Sequence, residues 1–114
     1  MKYSKADLTL LCDEIIAHGD NVDLKKLKNI NPCYIARAIQ SYKHIQNGEK
    51  YTQTLNEYVT RYFFNHIFKN CTKQEKSMAL FSLAQHISYY ENNARKGKIT
   101  MQYLRQIYDE FSKK

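Results

Sequence analysis

The side chains in this sequence best suited to act on another molecule are cations, and they fall in two clusters. Lys25, Lys26, Lys28, Arg37, Lys43 and Lys50 share a stretch whose only acid is Glu49, and no carboxylate lies between Asp23 and Glu49. A second acid-free window, between Glu91 and Asp109, holds Arg95, Lys96, Lys98 and Arg105. The first 23 residues lean the other way, with Asp7, Asp13, Glu14, Asp20 and Asp23 against Lys2 and Lys5. Positive charge gathered locally attracts a polyanion more strongly than the same total spread evenly. Tyr34, Tyr42, Tyr51 and Tyr103 interleave with these cations and have rings able to stack on unpaired bases, although most also fit core or rim positions. The plainer account is a set of solvated helix faces and loops. A membrane-surface role fits poorly, because the basic segments lack an exposed apolar face.

Residues 21–46 have the spacing of a helix-turn-helix-like corner: a short helix over 23–29, a turn at Asn29-Ile30-Asn31, and a longer helix over 32–46. Such a unit buries residues from both helices and the turn, and Leu24, Ile30, Ile35 and Ala38 fall at suitable places. Lys25 and Lys28 stand where a small and an apolar residue are normal, so a plain structural corner explains the pattern better. If the unit reads DNA, the second helix presents Cys33, Tyr34, Arg37, Gln40, Ser41 and His44 outward. Arg37 and Gln40 are the types that pair with guanine and adenine edges. Lys25, Lys26, Lys28 and Lys43 would hold phosphates.

A second group of residues suggests a different partner. Phe64 and Phe68 lie opposite the main apolar stripe of a helix expected over 54–69, and Met78, Phe81 and Tyr89 form a second line on the next helix. Either both helices are central and buried on two sides, or these five residues form a protein interface or homodimer seam. Contiguous exposed aromatic and Met side chains mark partners.

Other chemistry finds little support. His18, His44, His66 and His86 fall on four different segments with no metal-ligand spacing, and Cys12, Cys33 and Cys71 form no C-x-x-C pair, so no metal is expected. His66 reads as a core-edge histidine bonded to a neighbour. Asp13-Glu14 and Asp109-Glu110 are adjacent, so on a helix they diverge by about 100° and make poor acid/base pairs. No two glycines are close enough for a phosphate loop. Cys33 lacks a sequence-local histidine base and reads as a spectator thiol. No enzyme activity and no cofactor are implied.

Gly and Pro are scarce enough to punctuate the chain. Gly19, Gly48 and Gly97 each follow a segment with helical apolar spacing, and Asn31-Pro32 makes an N-cap followed by a first helical position. Ser4 caps a helix over 5–18 whose stripe is Leu8, Leu11, Cys12, Ile15 and Ile16. The helix over 32–46 buries Ile35, Ala38, Ile39, Tyr42 and Ile45, and the helix over 54–69 presents Leu55, Tyr58, Val59, Tyr62, Phe63 and His66. Thr72 and Glu75 form a capping box for a helix that ends near Asn92-Asn93 or runs to Lys96, with Leu80, Leu83, Ala84, Ile87, Tyr90 and Ala94 inward. A last helix starts at a Thr100 cap, with Ile99 and Leu104 as a hydrophobic staple. No strand-length alternation occurs. The expected fold is all-α, a single compact bundle of five to six helices over residues 1–114.

At 114 residues the chain has the size of one domain, and about two-thirds of its surface would be buried on folding. Its 43% hydrophobic and 25% charged content is ordinary globular composition, and its formal charge is +7. No run approaches the length of a membrane span, and the charged N-terminus does not resemble a secretory signal. With an odd number of widely spaced cysteines, this predicts a cytoplasmic protein with free thiols and no membrane partner. The leading expectation is a non-enzymatic, basic helical protein that binds DNA or RNA, as a DNA-binding regulator or an accessory subunit of a nucleoprotein complex. An acidic protein surface is the other partner its charge suits. The alternative is a protein-binding inhibitor or immunity-type bundle acting through Phe64, Phe68, Met78, Phe81 and Tyr89.

Overall fold

Three of the expected caps do what their chemistry requires. Ser4 accepts the Asp7 N–H, Asn31 accepts the Cys33 N–H ahead of Pro32, and Thr72 exchanges hydrogen bonds with Glu75. The computed structural model describes residues 3–53, 55–92 and 98–114, with the side chains of 98–101 outside that description. Among the described residues it contains five α-helices, a 3₁₀ turn and no strand: α1 (Lys5–His18), the turn Gly19–Asn21, α2 (Pro32–Asn47), α3 (Glu57–Asn70), α4 (Lys73–Asn92) and α5 (Lys98–Ser112). The architecture is an all-α bundle.

Three expected boundaries move. The segment 23–29 is not a helix but a chain of tight turns, in which Lys26, Leu27 and Ile30 donate to the carbonyls of Asp23, Leu24 and Leu27. A segment this short cannot nucleate without strong packing, and the Asp23 carboxylate competes by accepting the Lys25 N–H. Leu24 is therefore not inward; it is 59% exposed, and only Leu27 and Ile30 reach the core from this segment. α3 begins at Glu57, capped by Asn56, so Leu55 packs from the segment before it. α5 is already helical at Lys98, so Thr100 lies inside it rather than capping it. The expected Gly97 terminator, Ala94 and the staple at Ile99 lie outside the described residues or side chains.

α3 packs on α1, α4 and α5, and α4 on α2, α3 and α5, while α2 also touches α1. Contact with three neighbours explains why the α3 stripe is wider than one helical face. Val59 and Phe63 are buried as expected of a single stripe, and Phe64 and Ile67 are buried as well. Tyr58 and Tyr62 meet α1 through Thr9 and Asp13, and Arg61 meets α5 through Glu110. α2 closes at Gly48, which adopts a left-handed φ of 70° and sits against the Met78 side chain, where a Cβ would come within 3.4 Å.

From Gly48 the chain runs along α4 to the Asn56 cap. Side chains of α4 and α5 accompany it by donating to its carbonyls: Gln85 to Gly48, Ser82 to Glu49, His86 to Tyr51, Tyr90 to Thr52 and Tyr103 to Leu55. This strap fixes the position of Lys50 beside α4.

Candidate nucleic-acid interface

The connection from α1 to α2 runs back along one flank of α1. Glu14 accepts the Asp23 N–H, Asp7 accepts from the Asn29 amide, and the Tyr3 hydroxyl accepts the Asn31 N–H. Lys25, Lys26 and Lys28 ride this connection, all exposed. Lys26 reaches Glu14 at 3.7 Å, whereas Lys25 and Lys28 have no carboxylate partner among the described residues. Glu14 is itself nearly buried, and sequence patterning missed it because its partners lie across a tight turn.

Arg37 and Gln40 are exposed on one face of α2, and Arg37 makes no ion pair among the described residues. Lys43 on the next turn is bonded to Asp20 at 2.5 Å. The rest of the expected outward face is altered by packing. Ser41 is buried, and Tyr34 is half-buried with its hydroxyl accepting the Asn56 N–H. His44 is half-buried, with its Nδ1 unpartnered inside. A residue predicted outward from α2 alone turns inward where a neighbouring element covers that side.

The tyrosines expected to stack on bases are engaged in the fold. Tyr42 packs on Phe63 with ring centroids 4.5 Å apart, and burial pushes its hydroxyl pKa up to about 12. Tyr51 stacks on His86, and Tyr103 donates to the Leu55 carbonyl; burial raises both hydroxyls further. Tyr42 and Tyr51 are buried, and Tyr34 and Tyr103 are half-buried with their hydroxyls bonded within the fold. Their enrichment near basic residues serves packing.

The two basic windows occupy different parts of the bundle. Apart from Lys50 on the strap beside α4, the first lies on the α1–α2 connection and α2, whereas α5 packs on α3 and α4. In the second, Arg105 pairs with Glu91 of α4 at 2.5 Å. Arg95 and Lys96 lie outside the described residues, and for Lys98 only the backbone is described. Lys25, Lys28, Arg37 and Gln40 are all exposed along residues 25–40, whereas Arg105 lies on α5 in a different part of the bundle.

The five residues of the alternative interface also separate. Phe64 has no exposed surface and packs on Phe111, and Phe68 is half-buried against the same ring. Both belong to the α3–α5 contact, so they drop out of an exposed face. Met78 and Phe81 are exposed, Phe81 by 61%, and Tyr89 is half-buried with the Lys50 ammonium 5.4 Å from its ring centre. Phe81, Ala84, Gln85, Ser88, Tyr89 and Asn92 of α4, with Lys50, line an open groove of about 620 Å³.

No three His, Cys, Asp or Glu side chains converge as a metal site among the described residues. His66 sits at a helix end against Asn70, as expected of a bonded core-edge histidine. Burial pushes the Cys12 thiol up to about 12, which keeps it protonated and unreactive. No described helix is long and apolar enough to cross a membrane. Comparison with known proteins finds no matching family model, no matching curated protein and no matching solved structure.

Proposed function

We propose that the chain is a small, non-enzymatic, basic helical protein that binds nucleic acid, as a DNA-binding regulator or an accessory subunit of a nucleoprotein complex. One observation carries this reading: Lys25, Lys28 and Arg37 are exposed, with no carboxylate paired to them among the described residues, on backbone that leads directly to the exposed Gln40. Lys25 and Lys28 neutralise phosphates, and α2 is the reader, with Arg37 and Gln40 one turn apart on its open face. Lys26 and Lys43 contribute less, because Glu14 and Asp20 already hold them. Arg95, Lys96 and Lys98 enter this reading by charge alone.

A salt titration tests it. Affinity for a labelled duplex falls steeply as salt rises, and the double variant Lys25→Ala/Lys28→Ala lowers the log–log slope by about two. Absence of binding to any duplex or single strand at low salt removes the proposal.

The second reading, a protein-binding inhibitor or immunity-type bundle, is favoured by one feature, the open face of Met78 and Phe81 on α4. It predicts that Phe81→Asp abolishes association with a protein partner while the variant still unfolds cooperatively.

A further inference from the structure

The groove on α4 combines two features that Lys25, Lys28, Arg37 and Gln40 do not: an aromatic ring open to solvent at one end and a cation at the other. Phe81 stands at one end with its ring in solvent, and Tyr89 stands eight residues on, about 12 Å along the helix axis. Between them the floor is Ala84 and Ser88, two small side chains that leave space above the helix. Gln85 does not fill that space, because its amide donates to the carbonyls of Gly48 and Phe81. The bond to Gly48 also ties down the strap, and the strap delivers Lys50 to the groove's edge, over the Tyr89 ring.

We infer that this groove is a single-strand nucleic-acid site, in which Phe81 stacks on an unpaired base and Lys50, at the Tyr89 end, holds a phosphate further along the strand. Such a strand needs an open aromatic face, a shallow floor and a cation along its path, and all three line the groove. Charge selects this occupant over a protein anchor. Among the described residues Lys50 is the only charged one lining the groove and no carboxylate lines it, and the whole chain carries +7. The inference rests on the nucleic-acid reading above but uses a different surface, so α2 and α4 act as separate contacts with one polyanion.

Fluorescence titrations of the full chain test it with three probes: oligodeoxythymidine, an abasic oligomer of equal length, and a duplex. Phe81→Ala weakens binding to oligodeoxythymidine by about 10-fold and leaves the abasic oligomer and the duplex unchanged. Lys50→Ala lowers the salt slope for both single strands by about one. Should Phe81→Ala melt at a lower temperature than the parent, Ser88→Glu, which puts a carboxylate on the exposed floor, gives a comparable loss. If Phe81→Ala and Ser88→Glu both leave oligodeoxythymidine affinity unchanged, the groove proposal is wrong. The α2 reading then stands, provided Lys25→Ala/Lys28→Ala still flattens the slope. No binding of any probe at low salt overturns both. Self-association that Phe81→Asp abolishes, with single-strand affinity unchanged, assigns the groove to a second copy of the chain and overturns the inference.

Discussion

Two irregular stretches join the helices on either side of α2, and they are held in opposite ways. The α1–α2 connection folds on itself through backbone turns and makes polar contacts with Glu14 and Asp7 of α1 and with Tyr3 ahead of it. The strap leading from Gly48 toward Asn56 makes no such turns among its described residues. Its carbonyls are satisfied by side chains of α4 and α5, and Tyr51 and Leu55 are buried with it. A connection that satisfies its own backbone can leave side chains free, and here Lys25 and Lys28 are exposed without an ion pair among the described residues, while Leu27 and Ile30 anchor it to the core. A connection that borrows donors from its neighbours becomes part of the core and is costly to change. The cations most available to a ligand thus lie where the fold depends on them least.

The largest expected effect comes from His86, the deepest anchor of the strap. The Tyr51 carbonyl can only accept, so Nδ1 carries the proton and Nε2 is a bare, buried nitrogen without a partner. Protonation would place a second N–H where nothing accepts it. Burial holds the ring's pKa down to about 4, against 6.5 for an ordinary histidine. Between those values the unfolded chain binds the extra proton and the folded chain does not. Stability is therefore full above pH 6.5 and falls by about 3 kcal/mol as the pH drops to about 4. Urea unfolding across that range checks it. His86→Leu should flatten this part of the profile and, by leaving the Tyr51 carbonyl without a donor, cost about 2 kcal/mol at pH 7. An unchanged pH slope in His86→Leu would mean that another group drives the acid loss.

The contrast also marks how far the sequence could be read. Ser4, Asn31 and the Thr72–Glu75 box were legible because a cap involves residues two or three apart. So were the stripes through Leu8, Leu11 and Ile15 and through Ile35, Ala38 and Ile45, since a helix facing one neighbour buries one face. Ser82 and His86 were not legible as core. They are polar residues buried to serve carbonyls more than thirty positions away, and no periodicity encodes a distant carbonyl. Phe64 and Phe81 make the same point. Both are aromatic surplus to a single stripe, yet Phe64 meets Phe111 of α5 while Phe81 meets solvent. Of the candidate site, the charge segregation was visible, but the carboxylates that neutralise Lys26, Lys43 and Arg105 depend on helix placement.

Smaller changes sharpen the comparison. Tyr103→Phe removes the donor to the Leu55 carbonyl at the far end of the strap and should cost about 1.5 kcal/mol, read as a lower urea midpoint with unchanged m. Glu14→Gln keeps an acceptor for the Asp23 N–H and loses only the attraction to an exposed lysine, so it should cost about 0.5 kcal/mol. Should Glu14→Gln prove as costly as Tyr103→Phe, the connection would be as integral to the core as the strap, and the distinction would fail.

The smallest effect on stability is expected where the effect on binding is largest. Lys25 and Lys28 project from the self-satisfied connection, and neither makes an ion pair among the described residues. Replacing both with alanine removes no buried contact, so stability should stay within about 0.5 kcal/mol of the parent. Relief of repulsion in a chain of charge +7 acts, if anything, in the stabilising direction. The same double variant should shed about two counterions from the salt dependence of duplex binding. Thermal melts and salt titrations on one protein sample measure both quantities. A variant that melts well below the parent would show that these lysines support the fold, and the division between a structural strap and a functional connection would no longer hold.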